Sequence, residues 1–126
     1  MTEDKIVEYI LVNKDLEMTT GKIAGQVAHA QTLIDERYNG LVGFFSMAVE
    51  EDIELENYYD WFNHNNQVKI ILRAKESQLL EAIEMGGIPV YDNGKTEIPK
   101  GSLTVVGFRP QPKSNLGKFT KRLQLL

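Results

Sequence analysis

The sequence predicts an α/β fold: one domain over residues 1–126, a mixed four-stranded sheet with helices on both faces. Three observations lead there. Short apolar runs rich in Val and Ile alternate with stretches whose apolar residues recur at helical spacing. A strand, a helix and a second strand follow one another between Val68 and Tyr91, the signature of a crossover joining parallel strands. A chain of 126 residues, 42% hydrophobic and 25% charged, has ordinary globular proportions and is too short for two cores.

Lys5 to Asn13 reads as the first strand, around the apolar run from Val7 to Val12. The first helix is expected from Thr20 to Arg37, because Ile23, Val27, Ala30 and Ile34 fall on one face. Thr19 or Thr20 supplies its N-cap hydroxyl. Ala24, Gly25 and Ala28 are expected to let the helix lie close on the sheet, and Tyr38-Asn39-Gly40 to end it. Leu41 to Val49 is read as a short helix with Phe44, Phe45 and Met47 as packing residues.

Acidic residues from Glu50 to Glu56 suit a helix start, so a helix is expected from Glu50 to Phe62. Its carboxylates read as a solvated face rather than a metal cluster. Asn63 to Asn66 is a loop, and Val68 to Arg73 the second strand. Glu76 to Met85 forms a helix with Leu79, Leu80, Ala82 and Ile83 inward, closed by Gly86-Gly87. Ile88 to Tyr91 is the third strand, parallel to the second. Asp92 to Ser102 is an irregular connection, and Leu103 to Phe108 the fourth strand. Pro110 and Pro112 precede a last short helix over Lys113 to Thr120.

Several function classes fall away. The chain has no cysteine, so disulfide and thiolate chemistry are excluded. No apolar run approaches the roughly 20 residues of a membrane span. The acidic start Met1-Thr2-Glu3-Asp4 lacks a signal-peptide pattern, so a cytoplasmic setting is expected. Residues 1–90 carry 7 Lys/Arg against 16 Asp/Glu, and residues 91–126 carry 7 against 2. A basic tail on an acidic body can meet phosphates locally, or its charges can pair with that body.

Gly21-Lys22 is not a Walker loop, because Leu16 and Ile23 occupy positions that need Gly and Ser or Thr. There is no Gly-x-Ser-x-Gly elbow and no His-Glu-x-x-His helix. His29 lies roughly 10.5 Å along the helix from Lys22 at ~1.5 Å per residue, so a structural, hydrogen-bonded role is expected. His64 sits in the polar loop.

Lys22 is the odd residue. A helix N-terminus carries partial positive charge, and stability alone favours Asp or Glu there. Either the lysine leans into solvent, or it joins the helix N–H groups in an anion site. Ligands of open α/β sheets sit beyond the carboxyl ends of the strands. Lys22 opens the helix after the first strand, and Asp92 closes the third. With these strands parallel and the fourth antiparallel, Ser102 and Thr104 return to the same edge, and Thr96 lies on the loop between. One ammonium, one carboxylate and two hydroxyls can orient a water, take its proton and hold an oxyanion. Taken singly, Asp92-Asn93-Gly94 is ordinary turn chemistry and Thr104 an ordinary strand residue.

The segment from Gly21 to Ala30, GKIAGQVAHA after Asp15-Leu16, resembles the N-terminal signature of type II peptidyl-tRNA hydrolases. The likeness continues through Gln67 to Ala74, Asp92-x-Gly94-Lys95-Thr96-Glu97-Ile98, Gly101-Ser102, Thr104-Val105, Gly107 and Leu123-Gln124-Leu125. It leaves out the stretch from about Tyr38 to Asn66. The resemblance implies hydrolysis of the ester between peptide and tRNA, with no metal or organic cofactor, by a homodimer. It implies Lys22, Asp92, Thr96 and Thr104 as catalytic residues, and Gly21, Gln26, Lys95, Lys100 and Ser102 as contacts to substrate or tRNA.

Two departures stand out: Glu17 replaces a family lysine before Met18, and Thr19-Thr20 a Gly-Lys pair after it. Fewer cations on that edge imply fewer phosphate contacts. Two other readings remain beside the hydrolase. One is a non-catalytic RNA- or protein-binding module on the same fold, motivated by the acidic aromatic stretch Glu50 to Phe62. The other is a protein that binds small anions or nucleotides.

Overall fold

The computed structural model describes residues 4–39, 53–93, 98–99 and 101–126. Strand β1 spans Ile6–Asn13 and leads to helix α1 at Thr20–Asn39. Helix α2 covers Ile53–His64, β2 Lys69–Ala74, α3 Glu76–Glu84 and β3 Ile88–Tyr91. Strand β4 runs over Leu103–Gly107, followed by the two-residue strand β5 at Gln111–Pro112. A 3₁₀ turn at Lys113–Asn115, helix α4 at Gly117–Thr120 and a second two-residue strand, β6 at Gln124–Leu125, complete the chain.

The sheet is mixed, with strand order β3-β4-β1-β2-β6, and β5 pairs β1 beside this path. It therefore has six strands rather than the expected four. The four main strands lie where the apolar runs place them. The two additions are too short to show periodicity, and Pro112 within β5 removes a strand donor. β1 and β2 are parallel, while β4 runs antiparallel to both β1 and β3. β1, β2 and β3 thus share one direction.

Alternation along β1 divides the core. Val7, Tyr9 and Leu11 face Leu79 and Ala82 of α3 and Phe119 of α4. Ile10 and Val12 face Ala30 of α1 together with Val90 and Val105. Helix α2 docks beside α1 on this second face, where Ile34 and Tyr38 meet Leu55, Tyr58 and Trp61. The close approach of α1 to the sheet differs from expectation. Ala24, Gly25 and Ala28 are exposed, and the tight contact lies at Ala30 and Gly107. A Cβ on Gly107 would sit 3.1 Å from Ile34 Cδ1 and 3.4 Å from Ala30 Cβ.

Other expectations are adjusted locally. The last helix is split, because Leu116 at φ −117° leaves helical geometry between the 3₁₀ turn and α4. His29 is exposed and is not the structural histidine expected. The helix proposed over Leu41 to Val49, and residues 50–52 ahead of α2, lie outside the described residues. Within α2, Tyr58 and Trp61 are core residues, and the rings of Tyr38 and Tyr58 stack at 4.2 Å. Glu54 is an ion-pair hub rather than a solvated acid. It accepts from Arg37 and from Tyr38 Oη at 2.9 Å, and it forms an ion pair with Arg109 Nη1 at 3.3 Å. Arg122 pairs with Glu81, so part of the basic tail does neutralise the acidic body.

One buried acid gives no sign of itself in the sequence. Glu8 on β1 is fully buried, and among the described residues neither carboxylate oxygen has a hydrogen-bond partner; nor has Gln31 Oε1. Around it stand Lys69 of β2, Gln31 and Asp35 of α1, and Tyr58, whose hydroxyl donates to Asp35 at 2.7 Å. Burial pushes the Glu8 carboxyl up to about 8, against the pull of the Lys69 ammonium. A protonated Glu8 can donate to Gln31 Oε1, which satisfies an orphan acceptor on each residue. The folded value lies above the ordinary 4.5, so the native state holds a proton that the unfolded chain has released. The stabilisation from this proton is therefore complete below about pH 4.5, shrinks as pH rises, and is lost once pH passes about 8. Glu8→Gln should flatten that slope and stabilise the protein by roughly 1–3 kcal/mol above the upper limit. Urea unfolding of both proteins across the window measures the difference, and parallel curves would contradict it.

Candidate active site

The site grows out of the carboxyl ends of β1 and β3. The chain leaves β1 at Asn13 and enters α1 with Thr19 as N-cap, whose Oγ1 accepts from the Lys22 N–H at 3.2 Å. The side chain of Lys22 does not lean into solvent. Its ammonium forms an ion pair with Asp92, the residue that closes β3, and only 10% and 2% of the two side chains are exposed. Among the described residues no partner is seen for the N–H groups of Thr20 and Gly21, which open α1 at exposed positions just before Lys22.

A bulge brings in Thr104. Val90 pairs with Val105 and Tyr91 with Leu103, so β4 holds one residue more than β3 there, and that residue is Thr104. Its fully buried hydroxyl lies 2.6 Å from Gln26 Oε1 and 3.1 Å from the Val90 carbonyl. One proton serves one acceptor, so the hydroxyl donates to Val90 and receives from Gln26 once the amide is turned to present its NH₂. Gln26 stands one turn beyond Lys22 on the same face of α1. Lys22 and Gln26 of α1, Asp92 after β3 and Thr104 of β4 are therefore joined in two contacts, Lys22 with Asp92 and Gln26 with Thr104.

The remaining predicted residues behave differently. Gly21 is exposed at the first turn of α1. Ser102 donates its hydroxyl to the Pro99 carbonyl at 2.7 Å, which places it in the turn that closes the loop. That loop is clasped where Asp92 N–H donates to Ser102 O at 2.9 Å and Gly101 N–H to Asp92 O at 2.7 Å. Gly101 has φ +85°, a conformation that glycine adopts without penalty. Thr96, Lys95 and Lys100 lie outside the described residues.

Beneath the rim lies a residue the sequence reading passed over. Asn13 is buried, donates to the Leu103 carbonyl at 2.8 Å and accepts from the Asp15 N–H at 2.9 Å. Asp15 in turn accepts from the Glu76 N–H at 2.8 Å, at the start of α3. One side chain thereby ties the start of β4 to the loop that delivers Lys22. The only hint was a polar residue ending an apolar strand two positions before an acid.

Comparison with known proteins gives a consistent result. A family model described as peptidyl-tRNA hydrolase PTH2 matches residues 6–126. A peptidyl-tRNA hydrolase of Sulfolobus acidocaldarius is 35% identical over 125 residues, covering 93% of this chain and 97% of the relative. Those of Methanococcus vannielii and Thermoplasma acidophilum are each 32% identical over 124 residues, covering 93% of this chain and 96% and 95% of the relatives.

Asn13→Ala should leave the Leu103 carbonyl and the Asp15 N–H without their buried partner. The expected loss is roughly 1–3 kcal/mol of stability, read from denaturant midpoints at unchanged slope. A variant as stable as the parent would show that the clamp carries no weight.

Proposed function

Because the chain belongs to the peptidyl-tRNA hydrolase PTH2 family, we propose that it cleaves the ester joining a peptide to tRNA, with Lys22 and Asp92 at the centre. The observation that carries this reading is the buried contact between an ammonium at a helix N-terminus and a carboxylate at a strand end. Ester hydrolysis needs a water held for attack, an acceptor for its proton and donors for the charge that develops on the carbonyl oxygen.

Asp92 is the acceptor that orients the water and takes its proton as oxygen bonds to the carbonyl carbon. Lys22, with the N–H groups of the first helical turn, stabilises the resulting oxyanion or holds the terminal phosphate. Collapse of the tetrahedral intermediate breaks the ester bond. The proton returns to the departing ribose oxygen, leaving a free peptide carboxylate and tRNA. Thr104, held by Gln26 and the Val90 carbonyl, positions water or substrate, and Thr96 on the neighbouring loop does the same. Gly21, Lys95, Lys100 and Ser102 contribute contacts to the tRNA end. The same reading carries a homodimer and a cytoplasmic setting; no helix among the described residues is long and apolar enough to cross a membrane. A non-catalytic module is less well supported, since Tyr58 and Trp61 of its motivating segment pack in the core.

An N-blocked aminoacyl-tRNA assay tests the reading. Asp92→Asn keeps an amide oxygen to accept from the Lys22 ammonium and should lower kcat by about 10²–10⁴-fold, the usual contribution of a positioned acid or base. A thermal melt separates this loss from the destabilisation that follows from removing the counter-charge. Removing Lys22 alone would strand a buried carboxylate, so the second variant is Lys22→Ala combined with Asp92→Ala. Full turnover in either would remove these residues from the mechanism.

A further inference from the structure

The opposite end of the sheet holds a second concavity. A cleft of about 370 Å³ opens where the amino end of β1 meets the turn after α2 and the first residue of the 3₁₀ turn. Lys5, Lys113, His64, Asn65 and Asn66 contribute its polar walls.

Stability does not explain this arrangement. Ile6 pairs with Pro112 in the antiparallel β1–β5 ladder, so the next step sets Lys5 opposite Lys113. The Lys113 N–H donates to the Lys5 carbonyl at 3.0 Å, which fixes that register. Like charges directly opposed on a ladder are destabilising. Neither ammonium has an ion-pair partner among the described residues. Asp4, the neighbour of Lys5, bonds to the neighbour of Lys113 and not to either ammonium: the Ser114 N–H and hydroxyl donate to its two oxygens at 3.0 and 2.6 Å. Asn66 on the far wall and Gln67, which follows it, have φ 57° and 53°. Two successive left-handed residues, one of them Gln, are an unfavourable backbone shape, and such shapes gather where a surface is used.

We propose that this cleft is a second contact for the substrate, taking a backbone phosphate of the tRNA body between Lys5 and Lys113. The inference rests on the hydrolase reading. About 26 Å separates Lys5 from Asn13 along β1, at ~3.3 Å per residue. A peptide or a mononucleotide at Lys22 cannot reach the cleft, but a folded RNA can. The need is real, because between Lys14 and Lys22 the rim carries Asp15 and Glu17 and no cation. Affinity for a polyanion must then come from elsewhere on the surface.

The test compares the native protein with the Lys5→Gln/Lys113→Gln double variant. Both substitutions relieve the like-charge pair, so the fold should be at least as stable, as thermal melts will show. Labelled uncharged tRNA is titrated between about 50 and 200 mM salt, the range over which phosphate contacts are strongly screened. The variant should bind about three- to tenfold more weakly at low salt, with a shallower dependence of log K on log salt by about 0.9 per lost phosphate contact. Its kcat on a minimal ester, an N-blocked aminoacyl-adenosine, should match the parent. Equal affinity and slope, no tRNA binding by the parent, or an equal loss on the minimal ester would each overturn the cleft. Binding is read without cleavage, so a parent that binds tRNA yet hydrolyses nothing would defeat the reaction proposed above and leave the cleft to the titration.

Discussion

Lys22 and Asp92 lie 70 positions apart in the chain and meet almost out of reach of water. Removing two charges from solvent is costly unless their geometry is good, so this contact tolerates little slippage around it. It requires β1 and β3 to end on one rim, which the antiparallel β4 between them ensures. It also requires α1 to begin within reach of that rim, which the Thr19 cap and the Asn13 clamp secure. The fold around the site can be understood as the set of constraints that keep one ammonium beside one carboxylate.

Much of this was legible in advance, for definite reasons. Helical spacing of Ile23, Val27, Ala30 and Ile34 marks the inner face of α1, and the apolar runs mark the four main strands. Strand direction follows from the crossover through α3, and direction brings Lys22, Asp92 and the start of β4 to one edge, where the bulge then places Thr104. Other features depend on partners distant in sequence and leave no local trace. Glu8 sits in β1 where alternation would allow any residue, and its isolation appears only when Gln31, Asp35 and Tyr58 close over it. Asn13 is a plain strand-end residue until the Leu103 carbonyl arrives. Ala24, Gly25 and Ala28 looked like a packing surface because small residues permit close approach; permission is not contact, and the sheet instead meets Ala30 through Gly107.

Charge is distributed in the same divided way. The basic tail is not a uniform patch: Arg109 and Arg122 neutralise acids of α2 and α3, whereas Lys113 is left facing Lys5. Glu54 shows the converse, since one acid of a run that reads as solvated joins α1, α2 and the segment after β4. Net charge therefore says little about where this molecule attracts or repels. Local register decides it.

The extra residue in β4 has a consequence for anyone reshaping this protein. Residues two apart in a strand normally look onto the same layer, yet Leu103 belongs with α3 while Val105 belongs with α1. Thr104 works as a parity switch, and the strand changes phase as it passes through it. Deleting that single position would leave Leu103 and Val105 on the layers they now face but remove the buried hydroxyl, whereas straightening the strand with Thr104 kept would turn the segment before it inside out relative to the rest. The strand's interior and its chemistry are thus indexed from opposite ends, and no smoothing of the backbone can keep both.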